Sequence, residues 1–197
     1  MNLARFDEAG WRLTAVAAGL TVAAGLVATR SLVLGEVAVT ETINSLPSLA
    51  IDGLEVVMQL GTRPAILLVA VVAVVVTPGD WRRIAFAVVV AGALSWLGSD
   101  LAKDIVERPR PGGFAADVDV RDHATGFGWP STHTAIAAGS LTAAALAGRR
   151  GVAPALVVAG TVGIARMAVG VHLPLDIVGG LALGVAIASA VVAVVDP

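Results

Sequence analysis

Six ionisable residues stand out in this strongly apolar chain because their types and spacing suit acid–base and nucleophilic chemistry. They fall in three short segments, each beside the same end of a long apolar stretch: Lys103, Arg110, His133, Arg166, His172 and Asp176. Charged groups at membrane depth are costly and usually mark a function. Because three of the six are cations, they predict a site for a phosphate group.

The segment from Arg166 to Asp176 contains the residues best suited to nucleophilic attack. Asp176 follows His172 by four residues, and Pro174 can begin a helix between them. A carboxylate one turn away can fix the imidazole tautomer and leave the other ring nitrogen free to attack. Arg166 lies about five residues inside an apolar stretch, roughly 7–8 Å deep, where it needs an anionic partner. The alternative is a His–Asp pair that only clamps the last two helices.

The segment Pro130–His133 is predicted to open a helix. Ser131 is a good N-cap, and the backbone N–H groups of Thr132 and His133 then point out of the helix end. Helix N-termini of this kind bind anions. The segment taken alone is equally consistent with a Ser-capped helix that carries a histidine at the membrane interface.

The third segment contains two cations separated by six residues, Lys103 and Arg110. Pro109 and Pro111 stop the preceding helix and stiffen its exit, so Arg110 can fold back over the membrane end where Lys103 emerges. The alternative is a pair of basic side chains that snorkel at a helix end. Arg108, which also precedes a proline, competes with Arg110 for this role.

The composition is that of an integral membrane protein. The 197 residues are 57% hydrophobic and 14% charged, and the mean hydropathy is +0.87. A net charge of −2 and the absence of tyrosine argue against a nucleic-acid partner. The absence of cysteine excludes disulfides, thiolate nucleophiles and cysteine-bound metals.

The apolar stretches predict one all-α membrane domain over residues 1–197. Spans of ~20 residues are expected, and we predict six at 13–29, 64–81, 84–101, 132–148, 152–171 and 174–195. The less apolar segment 35–62 is predicted to hold an interfacial helix between the first two spans. Gly180 and Gly184 predict a face on which helices pack closely.

Arginines in the short connections predict the orientation of the bundle. They precede the first span, follow the second and follow the fourth: Arg5, Arg12, Arg82, Arg83, Arg149 and Arg150. Such residues favour the cytoplasm, so the 102–131 loop and the 35–62 segment are expected on the periplasmic or outer side of the cell membrane. A cleaved signal peptide within residues 1–30 is the competing interpretation of the N-terminus, and it would leave this orientation unchanged.

The three segments together resemble the type 2 phosphatidic acid phosphatase superfamily of membrane lipid phosphatases. The matching pattern, from Lys103-x6-Arg110-Pro111 through Pro130–His133 to Arg166-x5-His172-x3-Asp176, lies within a core of about residues 55–190. The resemblance implies that His172 is phosphorylated, Asp176 orients it and His133 protonates the leaving group. It further implies that the phosphoryl oxygens are held without metal or cofactor by Lys103, Arg110, Ser131, Thr132 and Arg166.

The sequence departs from the family pattern at two positions. Thr132 stands where the family usually has glycine, and Ala165 stands where it usually has serine before the arginine. We expect the first to add a side chain near the phosphate and the second to remove a hydrogen-bond donor. His123 matches no family position, and Asp100 and Asp104 are expected to pair with nearby cations. None of the three is assigned a catalytic role.

The predicted function is hydrolysis of a lipid phosphate or diphosphate, with a polyprenyl diphosphate as the preferred substrate. Phosphatidylglycerol phosphate, phosphatidic acid and a polyprenyl-phosphoryl sugar phosphate are alternatives. A transporter or non-catalytic scaffold is a candidate of another class, but it would be expected to show inverted repeats or broken helices near the midplane. A metal-dependent hydrolase is also conceivable with three histidines, although the sequence has no His-Glu-x-x-His motif.

Overall fold

The computed structural model describes the backbone of residues 3–29 and 35–195, and the side chains of residues 11–29 and 35–195. The described chain is all-helical, as predicted. Its helices are α1 (Leu3–Ala28), α2 (Glu36–Asn44), α3 (Ser48–Met58), α4 (Arg63–Val76), α5 (Trp81–Val106), α6 (Thr132–Ala147), α7 (Ala153–Ala168) and α8 (Pro174–Val195). The side chain of Arg5 and part of the 1–30 segment lie outside the described residues.

The helices support an integral membrane protein, but the predicted count of six spans is not confirmed. Among the described residues, three stretches are long and apolar enough to cross a membrane: Trp11–Ala28, Trp81–Gly113 and Pro174–Val195. A fourth is possible if α3 and α4, which meet at 79°, form one broken span. Helices α6 and α7 have 16 residues each, about 24 Å, less than the ~30 Å of a bilayer core.

Helix α6 lies at the centre of the bundle and packs against α5, α7 and α8. Its small buried residues, including Ala135, Ala138 and Gly139, allow neighbouring backbones to approach closely. A Cβ added at Gly184 would lie 2.5 Å from the carbonyl oxygen of Ala135, and one at Gly180 would lie 2.7 Å from that of Ser131. The predicted close-packing face is therefore confirmed.

The 35–62 segment folds into two short helices and a 3-10 turn, Gln59–Gly61, rather than one helix. Pro47 separates α2 from α3. Helix α3 packs against α7, and α2 lies beside α7 and α8. Two buried polar residues of α2, Glu36 and Asn44, connect it to the rest of the molecule. Its predicted position at the membrane interface stays a prediction.

The loop between α5 and α6 is fixed to the bundle by Asn44. The amide nitrogen of Asn44 donates to the carbonyl oxygens of Asp119 and Ala168, each at 2.8 Å. Its amide oxygen accepts from the backbone N–H of Asp119 at 2.8 Å. The backbone N–H of Arg121 also donates to the carbonyl of Val169 at 3.0 Å. The loop therefore lies against the C-terminal end of α7.

Two of the arginines that predict orientation lie at the opposite end of the bundle from this loop. Arg83 donates to the carbonyl of Ala147, at the end of α6, at 2.8 Å. Arg150 donates to the carbonyl of Val76, at the end of α4, at 2.8 Å. Cations at helix C-termini interact favourably with the exposed carbonyls and the helix dipole. The connections that contain them thus share one end of the molecule.

Candidate active site

A cavity of about 590 Å³ opens where the three predicted segments converge. Six of the eight predicted site residues line it: Lys103, Arg110, Thr132, His133, Arg166 and His172. Asp176 lies directly behind His172 and is completely buried. The eighth residue, Ser131, is also buried and does not line the cavity.

His172 and Asp176 form the predicted pair. The Nδ1 atom of His172 lies 3.2 Å from Oδ2 of Asp176, and the same oxygen accepts from the backbone N–H of Leu173 at 2.9 Å. The Nε2 atom lies 3.3 Å from a guanidinium nitrogen of Arg110. Because a guanidinium only donates and a carboxylate only accepts, the contacts favour the tautomer protonated on Nδ1. An unprotonated Nε2 then faces the cavity.

The charge state of His172 agrees with this tautomer. The side chain lies in the turn between α7 and α8 and is 2% exposed. Burial lowers the pKa of the imidazole well below its usual value and outweighs the hydrogen bond and charge of Asp176, which act to raise it. The ring is therefore neutral at physiological pH, as a nucleophile requires.

The second oxygen of Asp176 is held by Arg108, whereas Arg110, its competitor for the phosphate-binding role, lines the cavity. A guanidinium nitrogen of Arg108 lies 2.7 Å from Oδ1 of Asp176, and the other terminal nitrogen contacts the carboxylate of Glu36. Arg108 is 2% exposed and does not line the cavity. Its position behind the His–Asp pair suits a supporting role.

Glu36 is a site residue that sequence reasoning missed. Besides contacting Arg108, it accepts from the backbone N–H of Leu175 at 2.8 Å, and it is 5% exposed. The sequence shows only one acidic residue in a moderately apolar segment, 72 positions before Arg108. The one available signal was that a buried cation needs an anionic partner.

Arg110 is directed into the cavity by backbone carbonyls. It donates to Val171 at 2.9 Å, to Gly126 at 3.0 Å and to Thr125 at 3.2 Å. These acceptors belong to the loop between α5 and α6 and to the turn that contains His172. Arg110 thus links that loop to His172.

Lys103 lies on the cavity wall beside Thr132, one of the two departures from the family pattern. Its ammonium group donates to the Thr132 hydroxyl and lies 3.9 Å from a carboxylate oxygen of Asp100. The Ser99 hydroxyl donates to the same Thr132 oxygen at 3.1 Å. The added side chain therefore joins the polar wall of the cavity and holds the lysine, instead of blocking the space.

Arg166 lies in the last turn of α7, not five residues inside its end, and it has the anionic partner that a buried cation needs. Its guanidinium pairs with Asp122 of the loop between α5 and α6 and also contacts the sulfur of Met58 at 3.4 Å. Partial burial acts to raise the pKa of Asp122, but the hydrogen bond and charge of Arg166 lower it below its usual value. Sequence reasoning missed Asp122 because a long loop gives no periodic signal for what it will contact.

His133 lies in the first turn of α6, half-buried and against the 3-10 turn. A Cβ at Gly61 would lie 2.5 Å from the His133 carbonyl oxygen, so the turn approaches the helix closely. Ser131 occupies the N-cap position, but its hydroxyl makes no capping hydrogen bond. It accepts instead from Thr134 at 3.1 Å, and its backbone N–H donates to the Asp176 carbonyl at 3.0 Å. Its predicted phosphate contact stays a prediction.

The second departure, Ala165, belongs to the apolar packing of α7. It is fully buried in a cluster with Ile51 and Met58 of α3. A hydroxyl there would need a partner among apolar neighbours.

Across residues 11–29 and 35–195, no group of three or more His, Asp or Glu side chains is placed to hold a metal ion.

The model of the PAP2 superfamily matches residues 81–197, which is more than half of the chain, and this chain belongs to that superfamily. The predicted resemblance is thereby confirmed. No curated protein gives a significant match. One solved structure with a similar fold is a transmembrane PAP2-type phosphatidylglycerolphosphate phosphatase from Bacillus subtilis. The match covers 89% of this chain and 93% of that one, with 20% identity and a TM-score of 0.67.

Proposed function

We propose that this chain is an integral membrane lipid phosphatase that works through a phosphohistidine. The observation that carries the proposal is the position of His172, whose Nε2 faces a cavity lined by Lys103, Arg110 and Arg166. Phosphoryl transfer depends mainly on positioning and on neutralising the charge of the phosphoryl oxygens. Three cations and the first N–H groups of α6 supply both.

The proposed reaction has two steps. In the first, Nε2 of His172 attacks phosphorus, and the bond between phosphorus and the leaving oxygen breaks. His133, held as the imidazolium by the negative charge of the bound substrate, donates its proton to that oxygen. In the second, His133 takes a proton from water, the resulting hydroxide attacks the phosphohistidine, and inorganic phosphate leaves as the N–P bond breaks. Asp176 stabilises the positive charge that develops on the imidazole, as in other His–carboxylate pairs.

The preferred substrate is a polyprenyl diphosphate, cleaved at the outer face of the cell membrane. The arginine-containing connections at the far end of the bundle support this orientation, since they favour the cytoplasm. A phosphatidylglycerol phosphate, a phosphatidic acid or a polyprenyl-phosphoryl sugar phosphate would suit the same three cations. The similar phosphatidylglycerolphosphate phosphatase is too distant in sequence to decide among them.

The test is phosphate release from a panel of these lipids by purified protein in detergent. We expect wild type to release phosphate and His172→Ala to release none while remaining folded, because the nucleophile is lost. His123→Ala is a matched control, since His123 is an exposed histidine at the rim of the same cavity. Turnover by His172→Ala close to that of wild type would refute the mechanism, and inactivity of wild type on every lipid would favour a transporter or scaffold.

A further inference from the structure

The cavity continues beyond the residues that the proposed mechanism uses. Past Lys103 and His133, its wall is formed by the start of α4 and the middle of α5, where Arg63, Trp96 and Asp100 line it. A site for one phosphoryl group would need only the histidine end of this space. The far end contains a cation of its own.

Arg63 is exposed and lies over the ring of Trp96. Its guanidinium carbon lies 4.3 Å from the centroid of the Trp96 ring, within the range of a cation–π interaction. This contact uses none of the five N–H donors of the guanidinium, and that set of donors matches phosphate oxygens well.

Arg63 also differs from the other cations of the cavity in its partners. Lys103, Arg110 and Arg166 each have hydrogen-bond acceptors on the protein. Within the described parts of the chain, the guanidinium of Arg63 has no hydrogen-bond or ion-pair acceptor; its stacking on Trp96 is its defined contact. Its donors are therefore available to a ligand.

The register of α5 connects the two ends of the cavity. Trp96, Asp100 and Lys103 are four and three residues apart, so they lie on one face of the helix. Two turns separate Trp96 from Lys103, about 10 Å along the axis. The Lys103 side chain leans back toward Asp100, with the two charged groups 3.9 Å apart. Arg63, which lies over Trp96, and Lys103 therefore lie toward the two ends of this face of α5.

The balance of charge favours a ligand with more than one phosphoryl group. The three cations near His172 share the cavity with two carboxylates, Asp100 and Asp122. One phosphoryl group brings about 1.5 to 2 negative charges near neutral pH. A second phosphoryl group would need a further cation to offset the cost of removing its charge from water. Arg63 provides that cation.

We propose that Arg63, stacked on Trp96, forms a second anion subsite that binds the phosphoryl group the enzyme does not cleave. The inference rests on the proposed function and narrows its substrate class to lipids with two phosphoryl groups. Such a lipid is either a diphosphate or one in which a phosphodiester precedes the terminal phosphate. A lipid with one phosphoryl group uses only the His172 end of the cavity.

The experiment compares Arg63→Gln with wild type in detergent on two substrate pairs. One pair is a polyprenyl diphosphate and the monophosphate of the same chain; the other is phosphatidylglycerol phosphate and phosphatidic acid. We expect KM to rise about tenfold for the two-phosphoryl member of at least one pair and to change less than twofold for its partner. The pair that responds identifies the source of the second phosphoryl group. The matched control is Arg82→Gln, because Arg82 stacks over Trp81 at 5.3 Å outside the cavity.

Each remaining outcome counts against the subsite. An equal rise in KM for both members of each pair would show a structural role for Arg63. A loss of folded protein in both Arg63→Gln and Arg63→Lys would show the same. Unchanged kinetics would show that Arg63 binds no part of the substrate. Wild-type protein that hydrolyses only one-phosphoryl lipids would overturn the subsite but leave the phosphatase intact, whereas inactivity on all four lipids would refute the proposed function itself.

Discussion

Replacing Glu36 with glutamine tests whether the buried charges behind His172 support the proposed active site. The carboxylate of Glu36 accepts from the Arg108 guanidinium and from the backbone N–H of Leu175, the latter at 2.8 Å. Glutamine has nearly the same shape, but its amide nitrogen would face one of these donors. The substitution therefore removes a charge and creates an unsatisfied contact between two donors.

The expected cost follows from the burial of the group. Breaking a buried ion pair costs about 3–5 kcal/mol. Because Asp176 continues to pair with Arg108 at 2.7 Å, we expect the lower end, about 3 kcal/mol. At about 2–4 °C for each kcal/mol in a chain of this size, the apparent Tm should fall by roughly 6–12 °C.

The variant should also lose activity without losing substrate affinity. With Glu36 neutral, Arg108 interacts with Asp176 alone, and the carboxylate stabilises the His172 imidazolium less. We expect kcat to fall about tenfold, the lower end for groups that orient a reacting side chain. KM should change less than twofold, because neither Glu36 nor Arg108 lines the cavity.

The assays are a thermal unfolding curve and steady-state phosphate release, both in the same detergent. Glu41→Gln is the matched control, since it makes the same change on the same helix and Glu41 is not part of the cluster around Arg108. A Glu36→Gln protein with the Tm and kcat of wild type would refute the supporting role. A rise in KM with kcat unchanged would place Glu36 in substrate binding instead.

Two further predictions concern pH and sidedness. Since burial lowers the pKa of folded His172, the unfolded chain takes up a proton first as the pH falls through about 6.5. The free energy of unfolding should then fall by about 2 kcal/mol between pH 7.5 and pH 5 because of His172. Unfolding curves of His172→Gln at the two pH values should lack this contribution. For sidedness, a cysteine at Gly113 should react in intact cells with a membrane-impermeant thiol reagent, and one at Gly151 only after the cells are opened. Neither position has another group within 4 Å of an added Cβ, and the reverse labelling pattern would place the site in the cytoplasm.

The convergence of the proposed catalytic residues could be predicted because each lies at or near a helix end. A residue such as His172 or Arg110 lies where an apolar stretch stops, and successive helix ends alternate between the two sides of a bundle. His172 and Asp176 needed even less information, since they are only four residues apart where α8 begins. These relations depend only on spacing along the chain.

The partners of Arg108 and Arg166 could not be predicted in the same way. Glu36 and Asp122 come from a short helix and a long loop, and their contacts depend on how those segments fold back over distant parts of the chain. Ser131 shows a related limit: its sequence position predicts the N-cap correctly, but the neighbouring Thr134 hydroxyl determines what its side chain contacts. The count of six spans stays a prediction, because α6 and α7, at 16 residues each, are shorter than the thickness of a bilayer core.

The buried contacts of α2 affect which fragment of the chain could keep the proposed activity. The family match begins at residue 81, and every residue of the catalytic pattern lies within it. Yet Glu36 neutralises Arg108, and Asn44 fastens the loop that contains Asp122. A fragment starting at residue 81 would keep the complete signature but lose both supports. We therefore expect the smallest fragment with the proposed activity to begin no later than Glu36, although the family match begins at residue 81.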